Sequence, residues 1–433
     1  MMKQYDSYKD SGVEWIGKIP SHWEVVKLKY DFNIYAGATP KTEVNKYWDG
    51  DITWVTPADY KTEDKFILSG QRTLTKEGYD SCNTQIVPKG SLIFSKRAPI
   101  GTVAISGVEL CTNQGCLSCV PRNSNVLYFY YLTSVLTEVF DLFGSGATFK
   151  EISADTFANL RLPYPSLEEQ DAIASYLDEK CGKIDKAIAT QEKRVELLKE
   201  LRQNIITQAV TRGINPDAPL KDSGVEWIGE VPEHWKVMKI KHLAYTNSGS
   251  TPKNIKGKDS DDATIVWVRT TDLNDNMVMN SSEYLTKDEY ESASCPWLPQ
   301  YTVLVAMYGG VGTIGKYGIL GIESTINQAL CSLNSKKEMN QFFLFYCISA
   351  IRRYWMKFAA SSRKDPNISQ EIIRNVELPV PPLSEQQEIV TYIETKTARL
   401  DASIEKAEHQ IELLQELKQS IITEVVTGKR KVV

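Results

Sequence analysis

The strongest constraint on this chain is that it contains itself twice. KDSGVEWIGKIPSHWEVVKLK at 9–29 recurs as KDSGVEWIGEVPEHWKVMKIK at 221–241, with fifteen of the 21 positions identical. The likeness continues more loosely and in the same order. GATPK at 37–41 meets GSTPK at 249–253, and ITWV at 52–55 meets IVWV at 265–268. IGTV at 100–103 meets VGTI at 311–314, Asn113–Gln114 meets Asn327–Gln328, and LPYPSLEEQ at 162–170 meets LPVPPLSEQ at 378–386. Solenoid repeats run about 20–50 residues, so a period this long marks a duplicated domain pair.

Each copy ends in a long amphipathic stretch. From Ser166 to Val210 there is no proline, and Gly182 is the one glycine. Ser166 can cap this helix, and Glu169 can reach back to complete a capping box. Leu177, Cys181, Ile184, Ile188, Val195, Leu198, Ile205 and Ala209 step by three and four, with Gln191 and Arg202 at intermediate steps. That 3.5-residue spacing is a coiled-coil seam. At 1.5 Å per residue the stretch spans about 68 Å, too long for the interior of one compact domain. It needs a partner, and the chain supplies one at Leu383 to Val426. Ile393, Leu400, Ile404, Ile411, Leu414, Ile421 and Val425 repeat the seam there, and ELLKELRQNIIT at 196–207 returns as ELLQELKQSIIT at 412–423.

The expected class is α+β. Globular domains occupy 1–165 and 214–382, and helices at 166–213 and 383–433 pair as an antiparallel coiled coil, giving an internal pseudo-two-fold. INPDAPL at 214–220, with two prolines, reads as a linker. Strands are expected at Ile52–Val55, Ser91–Phe94, Thr102–Ile105 and Leu117–Val120, with counterparts at Thr264–Val268, Thr302–Met307 and Thr313–Tyr317. Helices are expected at Leu127–Asp141 and Asn340–Phe358, where apolar and aromatic residues crowd together.

The 433 residues carry a net charge of −5, without the basic excess of a simple nucleic-acid binder. Glutamate-rich helices leave room for a local basic face. The opening MMKQYDSYKD lacks the apolar core of a signal peptide. The longest apolar run, Phe342 to Ile351, falls short of the roughly 20 residues that span a bilayer. The expectation is therefore a cytoplasmic chain with no membrane partner. Eight cysteines form no paired CxxC knuckle, and four histidines form no HExxH. Cys111, Cys116 and Cys119 read as half-buried thiols on strands, with no metal expected. His22 and His234 occupy matching places in the two PxHW sequences, which favours a packing role.

One stretch needs weighing as a phosphate loop. GVGTIGK at 310–316 fits GxGxxG and most of GxxxxGK[ST], but Tyr317 stands where the hydroxyl residue belongs. The YGILGIESTIN run from Tyr317 onward has no helical period to place an N-terminus under a phosphate, so the stretch reads as a glycine-rich turn between strands. No [DN]PP[YF] methyltransferase motif, nucleophile elbow or nuclease cluster is present, and no catalytic residue is assigned. Candidate DNA contacts lie where basic, hydroxyl and glycine residues mix. They are Thr39 and Lys41, Thr251 and Lys253, Lys96 and Arg97, Lys150, Arg269, and Arg363 and Lys364. Lysine would mainly neutralise phosphate, whereas arginine can pair bidentately with guanine. Taken singly, each can equally be a solvated surface charge; on equivalent loops, DNA contact is the better reading.

The duplicated KDSGVEWIG…PxHW openings, the LPxPxLxEQ helix starts and the ELLKELRQNIITQAVTRG and ELLQELKQSIITEVVTGK helix ends together resemble the specificity subunit of a type I restriction–modification system. The match runs through both halves in the family's order of recognition domain, conserved helix, recognition domain, conserved helix. The resemblance implies that each globular part is a target recognition domain reading one half of a split, asymmetric double-stranded DNA site. It implies that the helices set the gap between halves and dock modification subunits, two of them, which methylate adenine using S-adenosylmethionine. Restriction subunits using ATP and Mg2+ would join them, and this chain would hold none of these cofactors. Two rival readings remain: an orphan or regulatory coiled-coil scaffold that binds only proteins, and a self-sufficient methyltransferase or nuclease, against which the absent motifs count.

Overall fold

The computed structural model describes residues 4–60, 64–97, 100–143, 150–253, 255, 261–309, 312–359 and 367–432. The chain divides into two compact units, Met1–Glu192 with His409–Val433, and Lys193–Glu408. Each unit therefore holds one globular body and a segment of each long helix.

The first unit is built on a five-stranded sheet. Phe32–Ala36, Cys116–Pro121, Leu92–Ser95, Val103–Ser106 and Phe66–Ile67 lie side by side in that order. The last pair is parallel and the others antiparallel. A smaller sheet places Trp48–Val55 between Cys111–Thr112 and Arg72–Leu74. The second unit repeats this plan strand for strand. Ala244–Ser248, Leu330–Ser335, Val303–Ala306, Tyr317–Leu320 and Asn276–Val278 make its five-stranded sheet, and Ile265–Val268 lies between Tyr284–Leu285 and Thr325–Ile326. In both units the central strand of the larger sheet is wholly buried, Leu92–Ser95 and Val303–Ala306; the next strand is buried throughout in Tyr317–Leu320 and in all but Val103 in Val103–Ser106. A strand covered on both faces reads as an unbroken apolar run, not as an alternation.

Two expectations shift. The strand expected at Thr313–Tyr317 starts at Tyr317, because the residues before it form the turn. Gly315 sits there at φ +71°, and a Cβ would meet the Trp355 ring. The glycine-rich stretch is thus a turn between strands, with Gly310 and Val311 outside the described residues. The helix expected at Leu127–Asp141 is two, Val126–Ser134 and Thr137–Phe143, and its counterpart is Gln341–Ile351 followed by Trp355–Phe358.

The central helix runs Leu167–Arg212 and the terminal helix Leu383–Val426. Within each unit their segments pack antiparallel. In the second unit Lys199 pairs with Glu408 at 2.8 Å and Arg202 with Asp401 at 2.7 Å, so one number rises as the other falls. In the first, Lys418 reaches Asp185 at 2.6 Å while Arg430 lies over the Tyr176 ring. Leu177, Ile184, Val195, Ile393 and Ile404 are buried on the seam, and Ile188, Leu198, Leu400, Ile411 and Leu414 are half-buried. Near both C-termini the seam moves by one residue: Ile206 and Ile422 are buried where Ile205 and Ile421 were expected, and those two are half-buried. A straight helix drifts about 20° per heptad against a strict 3.5 repeat, and a second step of four recovers the buried stripe.

The shared sequence motifs explain how each helix start is held. Ser166 Oγ accepts from the Glu169 amide, as a cap should. The Glu169 carboxylate, however, leaves the capping box and takes the Tyr5 hydroxyl at 2.7 Å and the His22 ring at 3.1 Å. Its counterpart Glu385 takes His234 at 2.8 Å and the Trp235 indole at 3.1 Å. The next residue of the motif is fully buried in both units. Gln170 accepts from the Asn125 amide and Gln386 from the Asn340 amide, at 3.0 and 2.7 Å, which fixes the start of the helix each asparagine caps. The helix ends also match. Gly213 and Gly428 sit at φ +77° and +72°, against Trp235 and Trp23 respectively.

Among the described residues no helix is long and apolar enough to cross a membrane. All eight cysteines are free, and burial pushes the Cys111 and Cys116 thiols up to about 12. No group of three or more His, Cys, Asp and Glu among the described residues could hold a metal ion.

Candidate nucleic-acid interface

In both units the polar loops converge on one short turn, Asn113–Gln114 in the first and Asn327–Gln328 in the second. The turn follows the last strand of the smaller sheet and enters the larger one. Three neighbouring segments hydrogen-bond to it or beside it through the backbone. The Asn113 amide donates to Val55 at 2.9 Å, Ala38 to Thr112 at 2.9 Å and Lys96 to Gly115 at 2.9 Å. The second unit repeats the set: Asn327 to Val268 at 3.0 Å, Ser250 to Ile326 at 3.1 Å and Met307 to Ala329 at 2.8 Å. Gly37 and Gly249 permit this approach. A Cβ at either would lie only 2.1 and 2.0 Å from a backbone oxygen, far inside van der Waals contact. A buried tryptophan ties the same loop down, Trp54 Nε1 donating to Ala38 at 3.1 Å and Trp267 Nε1 to Ser250 at 3.2 Å.

The geometry sorts the expected contacts. The Thr39 hydroxyl donates to Gln114 Oε1, and Thr251 donates to Gln328 Oε1. Lys41, Lys150 and Lys253 are exposed, and none forms an ion pair among the described residues. Lys96 and Arg97 both close on Glu151, at 2.7 and 2.8 Å. Burial would raise the Glu151 carboxyl, but hydrogen bonds and charge from Lys96 and Arg97 outweigh it and hold the group below the usual carboxylate range. Lys96 is largely covered, at 14% side-chain exposure, whereas Arg97 keeps 45%; Arg97 is the cation presented to solvent. Arg269, at 34% side-chain exposure, donates to Ser282 at 3.0 Å and pairs with Glu283 at 3.3 Å. Its charge is spent within the fold. Arg363 and Lys364 lie outside the described residues.

The structure thus brings Thr39 together with Lys96 and Arg97 around one turn, and Thr251 with the strand end at Met307–Tyr308. The sequence repeat pairs Asn113–Gln114 with Asn327–Gln328 without marking them as the hub. Their signal is present: a polar pair retained between two strands. Glu151 and Tyr308 have no such signal, because each matters through one long-range partner. Tyr308 donates its hydroxyl to the Gln328 carbonyl at 2.7 Å.

Comparison with known proteins agrees with this two-unit plan. The family model described as the type I restriction modification DNA specificity domain matches residues 20–200 and again 232–413. The chain is 26% identical over 425 residues to the type I restriction enzyme MjaIX specificity subunit of Methanocaldococcus jannaschii, covering 96% of this chain and 95% of that one. It is 23% identical to the EcoBI specificity subunit of Escherichia coli, covering 79% and 75% respectively. Among solved structures, a chain from work on complex assembly and conformational transition of the type I R-M system shares the fold, with a TM-score of 0.69 at 15% identity over 94% of this chain and 98% of that one.

Proposed function

The chain belongs to the type I restriction–modification DNA specificity family, and from that premise we propose that it is the non-catalytic recognition subunit of such a complex. Each unit reads one half of a split, asymmetric DNA site, and the long helices set the gap between the halves. The observation that carries this reading is the hub turn itself. It stands at the same place in both units, yet the strand end beside it carries Lys96–Arg97 in one and Met307–Tyr308 in the other. One reader used twice, as in a homodimer, would read a palindrome; two unlike readers on one scaffold suit a site without symmetry. A 46-residue helix spans about 69 Å, on the scale of two turns of B-DNA at about 34 Å each.

Modification subunits, two by this reading, dock on the conserved helices and bring S-adenosylmethionine for adenine methylation. Restriction subunits bring ATP and Mg2+. The glycine-rich turn before Tyr317 does not suit a nucleotide, since a strand and not a helix comes after it. Such a complex works in the cytoplasm, where the DNA is. Replacing residues 30–160 with the matching segment of another family member tests the proposal. One half-site should change while the other half and the gap persist; a change in both halves, or in neither, would overturn it.

A further inference from the structure

Two kinds of side chain meet at the hub turn. One kind is the same in both units: Thr39 on Gln114 and Thr251 on Gln328, with Lys41 and Lys253 exposed two residues beyond the threonines. The other kind differs. In the first unit Glu151 clasps Lys96 and Arg97, and in the second the equivalent strand end presents Tyr308 hydrogen-bonded to the turn. The two strand ends are equivalent by their bonds. Lys96 accepts from the Ile152 amide at 3.0 Å and Met307 from the Ile368 amide at 2.8 Å, each while donating to its own hub turn.

We infer that each unit grips DNA through the threonine–glutamine pair and lysine common to both and reads bases through the adjoining strand end, with Arg97 reading a guanine in the first unit's half-site. The inference rests on the recognition role proposed above. Groups that are alike in two readers of different targets cannot tell those targets apart, so the discriminating contacts lie where the readers differ. The shared groups suit what every DNA sequence offers. Lys41 and Lys253 carry no ion pair among the described residues, and each threonine occupies the glutamine Oε1, leaving the amide nitrogen as the donor for a phosphate oxygen. The divergent group suits base reading. Glu151 holds Arg97 by its Nε, which fixes the plane of the guanidinium and directs its terminal nitrogens, the paired donors that guanine O6 and N7 accept. Lys96 neutralises the rest of Glu151 from a mostly covered position and is a positioning residue. The second unit has no arginine at this place and must read its half by other contacts.

The test uses the full chain assembled with its modification subunits and a pool of random-sequence duplex DNA, with bound duplexes sequenced. Arg97→Ala should lose the guanine preference at one position of one half-site, by about tenfold or more, with every other position unchanged. Arg97→Lys keeps the charge and removes the planar fork, so it should lose the same preference even where Arg97→Ala folds poorly. Lys41→Ala should keep every base preference and bind all sites more weakly, with a salt dependence shallower by about one unit of slope. A base preference altered by Lys41→Ala, or left intact by Arg97→Lys, would overturn the inference. If the wild-type assembly enriches no split site, the functional reading itself fails, and the two failures are distinct.

Discussion

The two units are one design executed with different side chains, and the places where they agree and differ separate scaffold from function. They agree in strand order, in the glutamine that fixes a helix start, and in the glycine that ends each long helix against a tryptophan. They differ at the strand end beside the hub turn and, more quietly, at the latch beneath the long helices. Glu385 holds the Trp235 indole, whereas Glu169 holds the Tyr5 hydroxyl and leaves the Trp23 Nε1 buried without a hydrogen-bond partner among the described residues. Buried polar groups are seldom left unpaired, so the second unit has the better satisfied latch and the first has given that bond to its N-terminal segment. Agreement under differing surroundings marks what the fold requires. Divergence on a common frame marks what each reader does alone.

The largest effect should come from the helices. Four residues inserted near Lys199, with four more near Glu408 to keep the pairing, should abolish binding to the native spacing and shift the accepted gap, with both half-sites unchanged. A changed half-site in the same binding selection would defeat the spacer model. Next comes the shared glutamine. Gln386→Ala removes bonds to the Asn340 amide and to the Glu338 and Pro381 carbonyls, and should cost about 2–3 kcal/mol in denaturant unfolding. Gln170→Ala should cost a similar amount; a negligible loss in either would show that the motif does not hold that unit together. The latch distinguishes the units more finely. Trp235→Phe loses an indole bond to a carboxylate and Trp23→Phe loses none, so the first should be more costly by about 2 kcal/mol. Equal costs would erase the difference. The smallest effect concerns Gly182, where the central helix runs on unbroken and a Cβ would meet nothing within 4 Å. Gly182→Ala should stabilise by about 0.5–1 kcal/mol, read as a raised melting temperature without change in binding.

Much of this architecture was legible in the residues. The PxHW and LPxPxLxEQ repeats announced two units, and the heptad steps announced both long helices. What the spacing could not carry was long-range. Antiparallel packing was expected, but the ion pairs across it, such as Lys418 with Asp185, are joined by no local pattern. The shift from Ile205 to Ile206 arises from helix drift, which a strict heptad count ignores. The glycine-rich turn at Gly315 was expected from the sequence, but the Trp355 ring that crowds it was not. At the interface, composition flagged basic residues without weighing their partners. Arg269 and Arg97 look alike in a sequence, but Ser282 and Glu283 keep the first within the fold, while Glu151 aims the second outward.

The central claim is that two unlike readers on one chain define a split site. Its most direct measurement is adenine methylation mapped by long-read sequencing after the chain and its modification subunits are expressed in a host without other adenine methylation. One asymmetric motif is expected, two different half-sites at a fixed gap, methylated in both halves. A palindromic motif, or a single uninterrupted one, would contradict it.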